Sequence, residues 1–328
     1  MSGQVVKGKI GKAGMGVMDG IDVLVSEVGP RDGLQSIAAV LPTAAKLAWI
    51  DALVAAGVRE IEVGSFVPAH ILPQLADTAA IVAHARAHTG LRVAALVPNA
   101  IGAEAAIAAG AHKITLPFSA SETHSLKNLR RTHAQVYEEV ERISGLLRAL
   151  PADTRPEFEG AISTAFGCTL EGAIADDDIL RIAGRLMALG CDEIGLSDTT
   201  GYANPEQVRR LVRAVHAEIG ASKLTGLHLH NTRGLGLANV VAGLDVGITT
   251  FDSSQGGLGG CPFAPGASGN IVTEDLVFML EAMGLRTGID MDCLLVARET
   301  LAAALPNEPL YGFVPDAGVT LGFGETGS

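Results

Sequence analysis

The chain has 328 residues, 48% of them hydrophobic and 18% charged, enough to bury a large core and to exclude a disordered chain. Its formal net charge is −12, and no basic run exceeds KNLRR at 127–131, so the clustered Lys/Arg face of a nucleic-acid binder is excluded. Aromatic residues are only 4% of the chain, so Ala, Val, Leu and Ile must supply the apolar volume.

Residues 1–20 lack the apolar core of a signal peptide and read as a loose leader. From there, short β-branched runs alternate with Ala/Leu-rich stretches. The runs are IDVLVSEVG (21–29), REIEVGSF (59–66), RVAALVP (92–98), HKITLPFS (112–119), EFEGAIST (157–164), DEIGLSD (192–198), LTGLHLH (224–230) and ITTFDSS (248–254). Several lack strict alternation, as parallel strands buried on both faces do. Between them, PTAAKLAWIDALVAAG and PEQVRRLVRAVHAEIG carry Pro near the start and Gly just past the end, the expected helix asymmetry. The phrases LVAAGVREIEV, AAIAAGAHKITL, LMALGCDEIGL and LDVGITTF repeat one unit of helix end, Gly and strand. Eight such units predict a (β/α)8 barrel. A doubly wound sheet is the competitor, weakened because no GxGxxG turn follows the first strand and GLGLAN (234–239) does not fit that pattern. Domain limits follow: a leader over 1–20, a barrel with extra C-terminal helices over 21–305, and a mobile tail over 306–328.

In such a barrel, functional groups gather where strands run into the following loops. EVGPRDGLQ supplies Glu27, Arg31, Asp32 and Gln35; the second strand carries Glu62 and Ser65; SDTTG supplies Asp198 and Thr200. HLHN places His228 and His230 two apart, so both rings share one strand face. Such a pair can be two satisfied strand histidines, but with Asp32 and Asn270 on the same rim it forms an N/O set suited to Mg2+ or Mn2+. His84 and His88 also have metal-like i,i+4 spacing, yet VAHARAHTG reads as a solvated helix end. Glu62 and Asp198 are expected to partner Arg31 or orient the site. Cys191 and Cys293 are expected to be structural, and Cys168 lies after strand five, where it can line the site. Cys261, in GGLGGCPFAPGASGN, sits on a glycine-rich loop that reads as a hinged lid over the mouth. The four cysteines include no CxxC, and no apolar run reaches about 18 residues, so a reduced, cytoplasmic protein without membrane partners is expected.

The blocks EVGPRDGLQ, SFVPAHILPQLAD, AFGCTLEG, SDTTG, HLHNTRG and GGLGGCPFAPGASGNIVTEDLVFML resemble, in order over 21–305, those of 3-hydroxy-3-methylglutaryl-CoA lyases. That family belongs to the metal-dependent lyase barrels. The resemblance implies a divalent cation on Asp32, His228, His230 and Asn270, Arg31 as electrophilic stabiliser, and Cys261 as a catalytic thiol. It also implies supporting roles for Glu62 and Asp198, an acyl-CoA substrate, a homodimer, and a place in leucine degradation. The reaction so implied is retro-Claisen cleavage to acetyl-CoA and acetoacetate, with Asp32 or His228 taking the hydroxyl proton. Three segments depart from the family pattern: His70 stands where a Lys is expected, SETHSLKNLRRT is less basic, and HNTRG replaces HDTYG. These departures keep two lyase alternatives, for citramalyl-CoA or an isoprenyl-extended glutaryl-CoA, with His70 expected near the acyl pocket. A condensing synthase of the same superfamily and a non-enzymatic barrel scaffold are the remaining alternatives.

Overall fold

The computed structural model describes residues 20–259 and 269–324. Eight parallel strands close a barrel in sequence order: β1 Leu24–Glu27, β2 Glu60–Ser65, β3 Arg92–Leu96, β4 Lys113–Ser119, β5 Glu157–Ser163, β6 Glu193–Asp198, β7 Gly226–Leu229 and β8 Thr250–Ser253. Closure is made by β8 on β1, with Leu24 opposite Thr250 and Glu27 opposite Ser253. Each strand lies within its expected run.

The helices are α1 Thr43–Ala55, α2 Thr78–Ala85, α3 Ala100–Ala109, α4 Glu122–Asn128, α5 His133–Arg148, α6 Asp176–Leu189, α7 Pro205–Ile219 and α8 Gly236–Leu244, followed by α9 Thr273–Ala282, α10 Met291–Ala304 and the short α11 Val314–Ala317. Their ends follow from local chemistry. Asn204 caps α7 by accepting from the Gln207 amide, and Pro205 occupies the first turn where its missing N–H costs nothing. The Gly that follows α3 and α6 is a left-handed C-cap, Gly110 at φ 86° and Gly190 at φ 111°.

The strands alternate more sharply than their sequences suggest. Ile61, Val93, Ile114, Phe158, Ile194, Leu227 and Phe251 point outward and are sealed beneath the helices. Burying each such side chain contributes about 1.5–3 kcal/mol, so this layer between strands and helices is the main apolar core. The inward face is polar. Glu60, Arg92, Lys113, Glu157, Glu159 and Glu193 line the lower barrel. Lys113 Nζ lies 2.5 Å from Glu159 and 2.6 Å from Glu193, while Arg92 pairs with Glu60 at 3.1 Å and with Glu157. Burial, only partly offset by Lys113, pushes the Glu159 carboxyl up to about 7.

Residues 306–324 are not detached from the barrel. Tyr311 N–H donates to Gly256 O at 2.7 Å, Phe313 and Val314 amides donate to Asp275, and Phe323 stacks on Phe278. These contacts hold parts of the segment, expected as a tail, against α9 and the loop after β8.

Candidate active site

The first site element is a single π-helical turn, Gly29–Gly33, between β1 and α1. Glu27 holds its start. This residue points outward, fully buried, and accepts from the amides of Gly29 (2.8 Å) and Gln255 (3.0 Å) and from Thr273 Oγ1 (2.7 Å). Burial, partly offset by those donors, pushes its carboxyl up to about 8. Glu27 therefore ties the β1 turn to the β8 loop and to α9; it does not enter the cavity.

The turn aims Arg31 and Asp32 over the barrel mouth. Arg31 Nε donates to Glu62 on β2, and Arg31 Nη1 lies 2.6 Å from Asp32 Oδ1. Burial opposes the guanidinium charge, but the two carboxylates outweigh it and hold the pKa above its ordinary value. Asp32 Oδ1 also accepts from Gln35 Nε2 at 2.9 Å, and Asp32 Oδ2 accepts from Asn270 Nδ2 at 2.7 Å. Burial alone would raise the Asp32 carboxyl; the charges of Arg31, His228 and His230 hold it well below the usual carboxylate range. In Glu62 burial prevails over Arg31, and the carboxyl is raised.

β7 supplies the two histidines. His228 Nε2 and His230 Nε2 face each other at 3.1 Å, and His228 Nε2 is 4.0 Å from Asp32 Oδ2. On its other side, His228 Nδ1 meets Asp252 Oδ2 at 3.1 Å. Burial disfavours charge on His228, but the Asp252 hydrogen bond and the Asp32 charge reverse this and raise its pKa. For His230, burial and the neighbouring His228 outweigh the Asp32 charge and the Asn270 side chain and push it down to about 4. Asp252 is a site residue that no sequence motif marks. Its signal is the β7–β8 register, which sets Asp252 opposite His228 on the same inward face.

Asn270 closes the cluster through an isolated bridge to His230. Its Nδ2 donates to Asp32 and to Leu258 O, while its Oδ1, like His230 Nδ1, has no hydrogen-bond partner of normal geometry among the described residues. Such an orphaned buried oxygen is costly unless something ligates it. Asp32, His228 and His230 each offer a ligand atom within 4.8 Å of the others. Two imidazole nitrogens in contact repel unless one is protonated or both share a cation. The donor set, two imidazoles with carboxylate and amide oxygens, fits a hard-to-borderline divalent ion with open positions.

Several expected residues sit elsewhere. Asp198, on the outward face of β6, accepts from the Tyr202 (2.8 Å) and Ala203 (3.1 Å) amides and organises the β6–α7 loop, with burial pushing it up to about 6. Ser65 exchanges backbone bonds with Thr78 Oγ1, and Thr200 Oγ1 donates to Gly167 O. His70 is exposed, whereas its neighbours Ile71 and Leu72 line the cavity. Cys168 is buried in a tight bridge with Gly172, so it does not line the site, and Cys293 is exposed, not structural as expected. Arg233, from HNTRG, donates to Thr200 O and Gly201 O and lies over the Tyr202 ring. His84 and His88 converge on Asp51 instead of ending in solvent. Cys261 lies outside the described residues, but the chain on either side is fixed at the cluster. A Cβ on Gly259 (φ 106°) would lie 2.3 Å from Asn270 Nδ2 and 2.8 Å from Asp32 Oδ2, and one on Gly269 would lie 2.2 Å from Gly257 O. These two glycines permit close packing at the site.

The cavity enclosing the cluster, about 2230 Å³, runs from Arg31, His124 and His230 at the strand C-termini to Lys223 and Arg286 at the other end. No helix among the described residues is long and apolar enough to cross a membrane.

Comparison with known proteins agrees with this geometry. The HMGL-like family model matches residues 22–301. Hydroxymethylglutaryl-CoA lyase YngG of Bacillus subtilis is 39% identical over 295 residues, 89% of this chain and 97% of that protein. The hydroxymethylglutaryl-CoA lyase of Pseudomonas mevalonii is 39% identical over 283 residues, 86% of this chain and 92% of that protein. The solved HMG-CoA lyase of Acinetobacter baumannii, in complex with coenzyme A and 3-methylmalate, superposes with a TM-score of 0.85 at 42% identity, covering 91% of this chain and 95% of that one. Barrel, mouth cluster and near-full-length similarity agree: the chain belongs to the HMGL-like family, alongside the hydroxymethylglutaryl-CoA lyases it matches.

Proposed function

We propose that this protein cleaves 3-hydroxy-3-methylglutaryl-CoA to acetyl-CoA and acetoacetate, using a divalent cation held by Asp32, His228, His230 and Asn270. The observation that carries the proposal is the convergence of Asp32, His228 and His230 within 4.8 Å at the barrel mouth, with Arg31 beside them. A Mg2+ or Mn2+ held by these residues would supply a Lewis acid for a substrate hydroxyl.

The protein's own groups do the rest. Asp252 fixes the His228 ring, and Asp32 and His228 are the two acceptors the cluster offers for the hydroxyl proton. As the C2–C3 bond breaks, negative charge moves onto the thioester oxygen. Arg31 is placed to stabilise it: two of its nitrogens are committed to Glu62 and Asp32, so the guanidinium plane is set before substrate arrives. Cys261 then gives a proton to the enolate carbon, and the thiol form required is dominant at neutral pH for an unperturbed pKa of about 8.5. Glu62 positions Arg31, and Asp198 positions the β6–α7 loop.

The coenzyme A and 3-methylmalate held by the Acinetobacter relative support a mouth that admits CoA beside a small hydroxy-diacid. Homodimeric assembly and a cytoplasmic setting belong to the same reading; light scattering on the purified chain tests the first. The decisive experiment follows acetoacetate release from 3-hydroxy-3-methylglutaryl-CoA before and after chelation. Activity lost to the chelator and restored by Mg2+ or Mn2+ is expected. Absent acetoacetate, or turnover indifferent to chelation, overturns the proposal, and a panel of other 3-hydroxyacyl-CoAs then identifies the substrate.

A further inference from the structure

A second cluster of metal-ligating side chains lies outside the barrel, between α1 and α2. Asp51 projects from α1, His84 from the last turn of α2, and His88 from the chain one turn further on. His84 Nε2 lies 2.6 Å and His88 Nε2 2.8 Å from the same oxygen, Asp51 Oδ1. The two rings stand edge to face with centroids 5.5 Å apart, and the three ligand atoms fall within 4.8 Å of one another. The sequence reveals only the i,i+4 histidines. The third ligand, more than thirty residues earlier in the chain, is delivered by helix packing.

We propose that Asp51, His84 and His88 form an exterior binding site for a borderline divalent ion such as Zn2+, Co2+ or Ni2+, which would bridge α1 to α2. Two imidazoles and one carboxylate are the ligands such ions favour, whereas Mg2+ selects oxygen. Tetrahedral ligands at bond lengths of about 2.0–2.1 Å stand about 3.3 Å apart. The observed 2.6 and 2.8 Å contacts must therefore open by about 0.5–0.7 Å, which is within the reach of side chains that are 48%, 34% and 28% exposed for Asp51, His84 and His88. The same exposure leaves a coordination position to solvent, so the ion exchanges freely and no entry path through the fold is needed. In this site the residues that already converge by hydrogen bonding are gathered for ligation, so little ordering entropy opposes the ion.

The alternative is that the two rings serve only as hydrogen-bond donors to Asp51. Zn2+ binding distinguishes the two. Chelator-stripped protein is dialysed against Zn2+ in the presence of excess Mg2+, and bound zinc is counted per chain for the wild type, H84A/H88A and D51A. Comparing the three cancels zinc held at the barrel mouth or on cysteines. The wild type is expected to hold one more equivalent than H84A/H88A, D51A is expected to lose the same equivalent, and zinc should raise the Tm of the wild type more than that of either variant. All three should cleave substrate equally with Mg2+, because the cluster lies on the outer helical layer. Equal zinc stoichiometry in the wild type and H84A/H88A overturns the site. Full stoichiometry in D51A overturns the bridge between the two helices.

Discussion

Replacing Gly259 by alanine tests how tightly the candidate site is assembled. Two separate effects combine there. Gly259 has φ 106°, outside the range of L side chains, and a non-glycine residue held there costs about 1–3 kcal/mol. The second effect is crowding: the new Cβ would lie 2.3 Å from Asn270 Nδ2 and 2.8 Å from Asp32 Oδ2. Ordinary carbon–nitrogen contact needs about 3.5 Å, so Asn270 or the Gly259 backbone must move by about 1 Å. A displacement of that size at a reacting centre costs about 10²-fold in rate. Gly90 supplies the control, because it has φ 85° and a Cβ added there would meet nothing within 4 Å. G90A therefore carries backbone strain without crowding. Thermal unfolding and kcat/KM for 3-hydroxy-3-methylglutaryl-CoA are measured for both variants. Both should lose stability, G259A the more, and only G259A should lose activity, by about two orders of magnitude. Activity in G259A within threefold of wild type would refute the packing argument, as would equal losses in both variants.

Removing the carboxylate that orients His228, in D252A, should weaken Mn2+ binding about 10- to 100-fold by titration calorimetry, since outer partners of a ligating imidazole have that leverage; unchanged affinity would deny Asp252 its role. C261S should lower kcat by at least about 10²-fold while leaving KM for the acyl-CoA near wild type, and full turnover would remove the proton-donor assignment. Glu27 yields a pH prediction. Burial raises its folded pKa from 4.5 to about 8, so the folded state holds that proton more tightly than the unfolded chain. Its stabilising contribution is complete below pH 4.5 and is lost as pH rises through 8. In E27Q the Gly29 and Gln255 amides keep an acceptor and the charge is gone, so Tm should fall less between pH 5 and 8 than in wild type. Parallel Tm profiles would exclude Glu27 as the source.

The barrel was legible because its signals are local. Most βα units carry a Gly near the helix end and each carries its own apolar strand, so all eight strands could be found one at a time. The barrel interior was not legible by the same route. Lys113 on β4 is neutralised by Glu159 on β5 and Glu193 on β6, and Arg92 on β3 by Glu60 and Glu157 from two other strands. In each run the charges look like the polar half of an alternating strand, and only closure of the sheet turns them into one buried network. Asp51 and Asp252 escaped notice for the same reason: their histidine partners come from other elements.

At the mouth, the distinction between local and assembled information separates two kinds of glycine and two kinds of carboxylate. Glu27 and Asp198 end their strands on outward positions, where Glu27 accepts from loop amides and Thr273 and Asp198 Oδ1 accepts from loop amides, and burial raises both carboxyls. Asp32 and Glu62 face the cavity around one guanidinium; with the histidines nearby, Asp32 stays ionised while Glu62, more fully enclosed, does not gain as much. Strand parity, more than residue type, therefore decides which acids can meet a substrate. The loop glycines obey a related rule. Gly259 and Gly269 flank the segment that contains Cys261, and each sits where a Cβ would strike another part of the cluster or its loop. Gly259 is packed on Asp32 and Asn270, and Gly269 on the Gly257 and Gly259 backbone, so any change in the packing of these residues should be felt by the mouth cluster. That coupling makes G259A more informative than a direct ligand substitution: it leaves every functional group in place and alters only their spacing.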